Sequence, residues 1–263
     1  MDEFPSEVKR RYRNAKSKGR KLALVPKEPK LIIARQSLVL LAFVDKINKI
    51  ILDLLLSALE QEEVRQDAVT PYIQRTLDLI ELRIAELVKA PTIERASEQT
   101  AKELLAGQTR QWKRLIKVEI DPAVQPLIRG FVQNNTTLIK SQTSQTVAQI
   151  RQFIDGKVGQ RVEDLAEEIE HRLNVRKSKA RFIARDQTLK LNGQISQAVQ
   201  TSVGIVEYEW VTAGDSDVRE THEDLDGTIQ RWDTPPVVSD DGRQEHPGGD
   251  YQCRCVALAI IPD

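Results

Sequence analysis

The sequence is poor in cysteine, histidine, methionine and aromatic residues. Its 263 residues include 2 cysteines, 3 histidines and 1 methionine, and 5% of the chain is aromatic. Cys253 and Cys255 are separated by one residue. This spacing does not suit an ordinary disulfide, and a bond between them would not cross-link a long loop. We therefore expect a protein that is made in a reducing cytoplasm.

An excess of charge of one sign is also missing. The chain carries 39 basic and 39 acidic residues, so its formal net charge is zero and global attraction to nucleic acid is not expected. The segment from Lys9 to Lys30 is nevertheless strongly basic, and we predict a flexible arm over residues 1–30. Such an arm is a solvated tail, a contact for DNA through counterion release, or a contact for an acidic protein partner.

The sequence pattern predicts neither a secretory signal peptide nor a membrane-spanning segment. The first residues, Met1-Asp-Glu-Phe-Pro, are acidic and do not show the charged-then-apolar layout of a signal peptide, so secretion is not expected. The most apolar stretch, residues 31–59, is interrupted by charged side chains that would be costly to bury in lipid. We expect no membrane in the free protein.

The first half of the chain is dominated by helical periodicity. Apolar residues recur three or four apart over residues 31–67, 71–90 and 93–118, which predicts three helices in an antiparallel bundle. Pro71 suits the first turn of the second helix. The prolines between Asp121 and Pro126 mark the predicted boundary between a helical module, residues 31–120, and a C-terminal domain, residues 121–263.

The C-terminal domain is predicted to begin with long helices. Residues 127–154 form a helix with a polar middle, which we expect to lie largely in solvent or to pack against another subunit. A regular apolar stripe around Leu165 and Ile169 predicts the next helix, residues 174–177 a connector, and the residues from Ala180 onwards the last long helix.

Short β elements are predicted to follow those helices. Alternation from Val206 to Trp210 predicts a half-buried strand with its aromatic residues on one face, and Val256 to Ile261 suits a last strand pairing near it. Between them we expect a short helix that Asp217 and Glu220 cap, and an irregular loop from Asp233 to Asp250. The fold class is therefore α+β, mainly α-helical with a small C-terminal mixed β region.

The scarce residue types are concentrated in the last quarter of the chain. His222, His246, Cys253 and Cys255 supply two imidazoles and two thiolates, the ligand set of a closed structural zinc site. Their spacing matches no common zinc finger. The alternative is that the cysteines alternate on a strand as packing residues and that His222 makes structural hydrogen bonds.

Charged residues near this cluster have two interpretations. Asp217, Arg219 and Asp226 suit acid–base chemistry around a histidine, or they are a helix cap, an ion pair and a turn in which Gly227 is left-handed. The sequence contains no nucleophile motif and no phosphate-cradling glycine loop. Arg185 and Asp186 are predicted to form a partly buried polar network that orients their helix against the strand.

Many of these residues together resemble the phage Mu F-like minor head protein family over residues 125–263. The matching residues, in the order and spacing of the family, are Ala184-Arg-Asp-Gln187, Lys190-Leu-Asn192-Gly193, Gly204-Ile205, Tyr208-Glu-Trp210, Asp217-Val-Arg219, His222, Leu225-Asp226-Gly227 and His246-Pro with Cys253-Arg-Cys255.

The resemblance implies a head morphogenesis protein and not an enzyme. It implies a location in the virion head after assembly in the host cytoplasm, and portal and capsid proteins as partners in DNA packaging or delivery. Zinc is then a structural ion, and packaged DNA is a further contact for Lys9 to Lys30. The alternatives are a metal-dependent nucleic-acid enzyme and a DNA-binding module that uses this arm.

Overall fold

The computed structural model describes residues 29–61, 71–89, 91–113, 121–155 and 162–260. Within these ranges no helix is long and apolar enough to cross a membrane. The elements in chain order are α1 Lys30–Gln61, α2 Pro71–Lys89, α3 Thr92–Lys113, α4 Asp121–Asp155, α5 Val162–Ser202, β1 Glu207–Val211, α6 Glu220–Glu223, β2 Ile229–Arg231 and β3 Val256–Ala259.

The predicted α+β class is confirmed. Five long helices come first, and a three-stranded antiparallel sheet in the order β2-β1-β3 lies near the C-terminus. Pro71 begins α2 as predicted, because the first residues of a helix need no backbone N–H donor. The basic segment before Pro29 lies outside the described residues, so the predicted arm stays a prediction.

Two predicted interruptions of helix are wrong. α4 begins at Asp121 and contains Pro126 in its second turn, where the proline removes one intrahelical hydrogen bond but does not end the helix. α5 runs unbroken through the predicted connector at residues 174–177, which contains no glycine or proline. There Arg176 is buried and donates a hydrogen bond to Thr143 Oγ1 over 2.8 Å.

The described residues group into two compact units. The helical unit comprises Arg35–Ser97 and Val132–Ala184, and the C-terminal unit comprises the described residues within Met1–Ala34, Glu98–Phe131 and Arg185–Asp263. The predicted module limits at residues 120 and 121 stay predictions, and residues 114–120 lie outside the described ranges.

The helical unit is built on the apolar stripes that the sequence shows. Leu40, Phe43, Ile47, Ile51 and Leu55 recur on one face of α1 and are at most 3% exposed. They form one core cluster with residues of the other helices, including Ile73, Leu77, Ile80, Ile84, Ile139, Ile150, Leu165, Ile169 and Leu173.

The polar middle of α4 lies in solvent only in part: Gln133, Asn134, Ser144 and Gln145 are exposed, as expected, but other polar residues are not. Asn135 and Thr143 are buried within the chain, at 0% and 2% exposed. Thr143 accepts the hydrogen bond from Arg176, and burial lowers the pKa of this arginine to about 10. Buried polar groups need hydrogen-bond partners, and here another helix of the same chain supplies one.

We predict that Ile51→Ala lowers the free energy of unfolding by about 2–5 kcal/mol, because truncation of a fully buried side chain leaves a cavity. Leu38→Ala, on the same helix at 67% exposure, is the control and should change it by less than about 0.5 kcal/mol. Urea unfolding followed by circular dichroism measures both. Equal losses in the two variants would contradict the assigned core face of α1.

Candidate metal centre

The sheet of the C-terminal unit is centred on two buried aromatic residues. Tyr208 and Trp210 on β1 are fully buried and point to one side, as the alternation predicts. Tyr208 pairs with Gln230 of β2 and Ala259 of β3, and Trp210 pairs with Ala257 of β3. The aromatic side chains pack with Trp232, Val238, Cys253, Cys255 and Ala257.

One face of α5 holds the segments that follow it. Asp186, Gly193 and Gln200 are seven residues apart, so two helical turns separate each from the next. The Asp186 carboxylate accepts a hydrogen bond from the backbone N–H of Gln252 at 2.8 Å, and Gln252 has a positive φ of 53°. The Gln200 amide donates to Ala257 O at 3.0 Å and accepts from Trp232 Nε1 at 3.1 Å.

The middle position of this face is a contact between backbones. A Cβ atom at Gly193 would lie 2.5 Å from the carbonyl oxygen of Pro247. Gly248 has a φ of 86°, and a Cβ there would lie 3.1 Å from Leu189 O. Glycine is therefore required at 193 for space and at 248 for backbone conformation.

This arrangement brings three of the four predicted zinc ligands together. His222 Nδ1 lies 3.6 Å from Cys253 Sγ and 3.5 Å from Cys255 Sγ. His222 is on α6, whereas the cysteines precede β3, and all three are at most 6% exposed. Among the residues that the structure describes, this is the group of histidine, cysteine and carboxylate side chains close enough to hold a metal ion.

The two thiols influence each other's ionisation. A hydrogen bond from the Cys255 thiol lowers the pKa of Cys253, and the nearby His222 and the backbone N–H of Gly248 act in the same direction. The same pairing, together with burial, raises the pKa of Cys255. One thiolate therefore forms readily in this cluster, and the second is opposed by the charge of the first.

A buried carboxylate lies on the other side of the histidine ring. Asp250 Oδ2 is 3.4 Å from His222 Nε2 and 3.4 Å from Arg219 Nη1, and Arg243 Nη1 is 2.5 Å from Asp250 Oδ1. Burial raises the pKa of Asp250, but the Tyr251 backbone N–H and the two arginines outweigh it, so the net pKa is lowered. Arg219 and His222 thus share a helical face, as predicted, and both meet Asp250.

His246, the fourth predicted ligand, lies elsewhere. Its Nδ1 atom is 2.9 Å from the Tyr208 hydroxyl, and its ring packs edge-on against Trp232 with centroids 4.9 Å apart. Burial lowers the pKa of His246 and raises that of Tyr208, which favours the neutral forms of both. The structure therefore places His246 in the aromatic core instead of beside the cysteines.

The remaining predicted site residues serve turns and ion pairs. Asp226 Oδ1 accepts the backbone N–H of Thr212 at 2.7 Å, and Gly227 is left-handed at a φ of 72°. The predicted capping box is wrong: α6 begins after Arg219 with no side-chain cap, and exposed Asp217 lies 3.7 Å from Arg254. Arg254 instead pairs mainly with Asp215, which lowers the pKa of that carboxyl group.

The polar network predicted around Asp186 differs in its partners. Asp186 is buried and pairs with Lys190 at 3.0 Å and with the Gln252 backbone, while Arg185 is half-buried. The network thus orients α5 against the loop before β3.

Sequence reasoning did not identify Asp250 and Gln200. The seven-residue spacing of Asp186, Gly193 and Gln200 was the available signal for the face of α5. For Asp250 the only signal was that it lies three residues before Cys253. This signal is weak, because the sequence does not predict the path of the loop that contains both residues.

Residues 148–258 match the family model described as "Phage Mu protein F like protein". The predicted resemblance is confirmed for this segment. A protein of Haemophilus influenzae (strain ATCC 51907 / DSM 11121 / KW20 / Rd), described as "Uncharacterized protein", is 34% identical over 142 residues. The match covers 53% of this chain and 31% of that protein, so the chain spans about a third of this relative's length. No solved structure matches the chain.

We predict that Gly193→Ala destabilises the C-terminal unit by about 1–3 kcal/mol, because its methyl group would overlap the Pro247 carbonyl oxygen. Gly107→Ala is the matched control, since a Cβ there meets nothing within 4 Å, and it should stabilise α3 by about 1 kcal/mol. Thermal unfolding monitored by tryptophan fluorescence compares them. A neutral or stabilising Gly193→Ala would rule out the close packing of α5 against the loop.

Proposed function

We propose that this chain is a minor head protein of a tailed phage, which acts in head morphogenesis by contact with portal and capsid proteins. The observation that carries the proposal is the family match over residues 148–258, which includes all of α5, nearly all of the sheet and the His222, Cys253 and Cys255 cluster. The role is non-enzymatic, and the protein is located in the virion head.

The C-terminal unit supports this proposal as a stable anchor. Its segment 247–257 is held by α5 through the backbone contact at Gly193, a hydrogen bond that Asp186 accepts and a hydrogen bond that Gln200 donates. Aromatic side chains from β1 and the following loop fill its centre. A compact unit that is held together in this way keeps its shape while neighbouring proteins assemble around it.

The helical unit supports the proposal as a source of contact surface. Leu79 and Leu82 are 40% and 58% exposed and lie three residues apart on one face of α2. Exposed apolar side chains that adjoin one another are typical of protein–protein contacts. We assign this face of α2 to a head protein partner, and we assign the basic residues from Lys9 to Lys30 to packaged DNA.

We predict that particles purified by density gradient contain the chain and that an in-frame deletion of its gene lowers the yield of infectious particles. Quantitative mass spectrometry of filled heads and plaque titres measure these outcomes. Complementation by the full chain is the control. A chain absent from purified heads, together with unchanged titres after deletion, would overturn the proposed function.

A matched pair of variants tests the assigned surface. Leu82→Lys should reduce incorporation into heads, whereas Ile229→Lys, at a 64% exposed position on β2, should not. Unchanged incorporation of Leu82→Lys would reject the α2 face and leave the head location standing. Metal-dependent DNA cleavage by the purified chain that is lost in His222→Ala would instead establish the enzyme alternative.

A further inference from the structure

We propose that His222 Nδ1, Cys253 Sγ and Cys255 Sγ bind one zinc ion that fastens α6 to the segment leading into β3. The three side chains are buried, and their ligand atoms all lie within 4.8 Å of one another. Imidazole nitrogen and thiolate sulfur are the ligand types that zinc prefers. This proposal does not depend on the function proposed above.

The distances between ligand atoms fit a tetrahedral ion. Zinc binds sulfur at about 2.3 Å and imidazole nitrogen at about 2.0–2.1 Å, which places the two ligand atoms about 3.6 Å apart at a tetrahedral angle. The nitrogen of His222 lies 3.6 and 3.5 Å from the sulfurs of Cys253 and Cys255. The chain therefore already holds the imidazole nitrogen at the distance from each sulfur that the ion requires.

A single hydrogen bond at His222 Nδ1 does not explain why both sulfurs lie beside this nitrogen. A ring nitrogen carries either one proton or one lone pair, so His222 Nδ1 makes one hydrogen bond in the plane of its ring. Two sulfurs nevertheless lie at equivalent distances from this nitrogen in a buried setting. A metal ion shared by all three atoms satisfies each of them.

The surroundings of the ligands suit a bound cation. With the ion on Nδ1, the Nε2 atom of His222 carries its proton toward Asp250 Oδ2 at 3.4 Å and has no other polar partner among the described residues. Carboxylates commonly orient metal-bound histidines in this way. The backbone N–H of Gly248 also points to Cys253 Sγ, at 3.4 Å, and stabilises negative charge on the sulfur.

The proposed ligand set contains three of the four residues that the sequence predicts, because His246 is not among the ligands. The Nδ1 atom of that histidine faces the Tyr208 hydroxyl, so three protein ligands remain and one coordination position is left for water. Residue 222 is 31 positions before Cys253, and an ion between them closes the intervening loop. An open fourth position also occurs at catalytic zinc sites, but all three ligands here are at most 6% exposed, so we assign the ion a structural role.

The first experiment uses the full chain and two metals as probes. We expect elemental analysis to find about one zinc ion per chain, as for structural sites in general. Cobalt added after chelation should give thiolate-to-metal charge-transfer absorption, and the chelator should lower the melting temperature. A chain that binds neither zinc nor cobalt would overturn the proposal.

Variants then identify the ligands. Metal should be lost in His222→Ala and Cys253→Ser, and it should be retained at full stoichiometry in His246→Ala, the matched control. Retention in His222→Ala, or loss from a folded His246→Ala, would contradict the assigned ligand set. Circular dichroism establishes that each variant is folded.

A further variant tests the role of the carboxylate behind His222, and the metal-binding experiment on the unaltered chain remains decisive if the ligand variants do not fold. Asp250→Asn leaves all three ligands in place but removes the carboxylate behind His222, so metal affinity should fall about 10–100-fold while one ion still binds at saturation. Competition with a chromogenic chelator measures this change. Unchanged affinity would remove Asp250 from the proposed centre.

Discussion

The close approach of α5 to the loop at Pro247 and Gly248 is the contact on which the C-terminal unit depends. This contact requires a residue without a side chain at position 193, and it places the loop residues that follow Gly248 against the helix. Further along the loop, the backbone N–H of Gln252 donates a hydrogen bond to Asp186 on α5. This contact directs the next residues, Cys253 and Cys255, toward His222. Packing at a glycine thus sets the position of the only cysteines in the chain.

Patterns local to one element were the most predictable part of the fold. The alternation through Tyr208 and Trp210 predicted a strand with one buried aromatic face, and the stripe of Leu165, Ile169 and Leu173 predicted a core helix. These predictions succeeded because the period of the apolar residues follows directly from the backbone geometry of the element. The helix breaks predicted at Pro126 and at residues 174–177 are wrong. A single proline, or a short polar segment, did not outweigh the helix-forming residues on both sides of it.

The candidate metal centre was predictable in composition and not in arrangement. Clustering of scarce residue types pointed to His222, Cys253 and Cys255, but the same reasoning also included His246. Which histidine faces the sulfurs depends on the path of an irregular loop, and no regular pattern of apolar residues predicts that path. Asp250 belongs to that loop too, and its contact with His222 exists only once the loop has packed on α5.

The strand order also determines when the sheet can form during synthesis. β1 is the central strand, and one of its two partners, β3, lies 45 residues further along at the pairing of Val211 with Val256. A nascent chain that ends before β3 therefore exposes one edge of an otherwise buried strand, with unpaired backbone groups beside Tyr208 and Trp210. The three-stranded sheet can therefore be completed only after β3 has been synthesised.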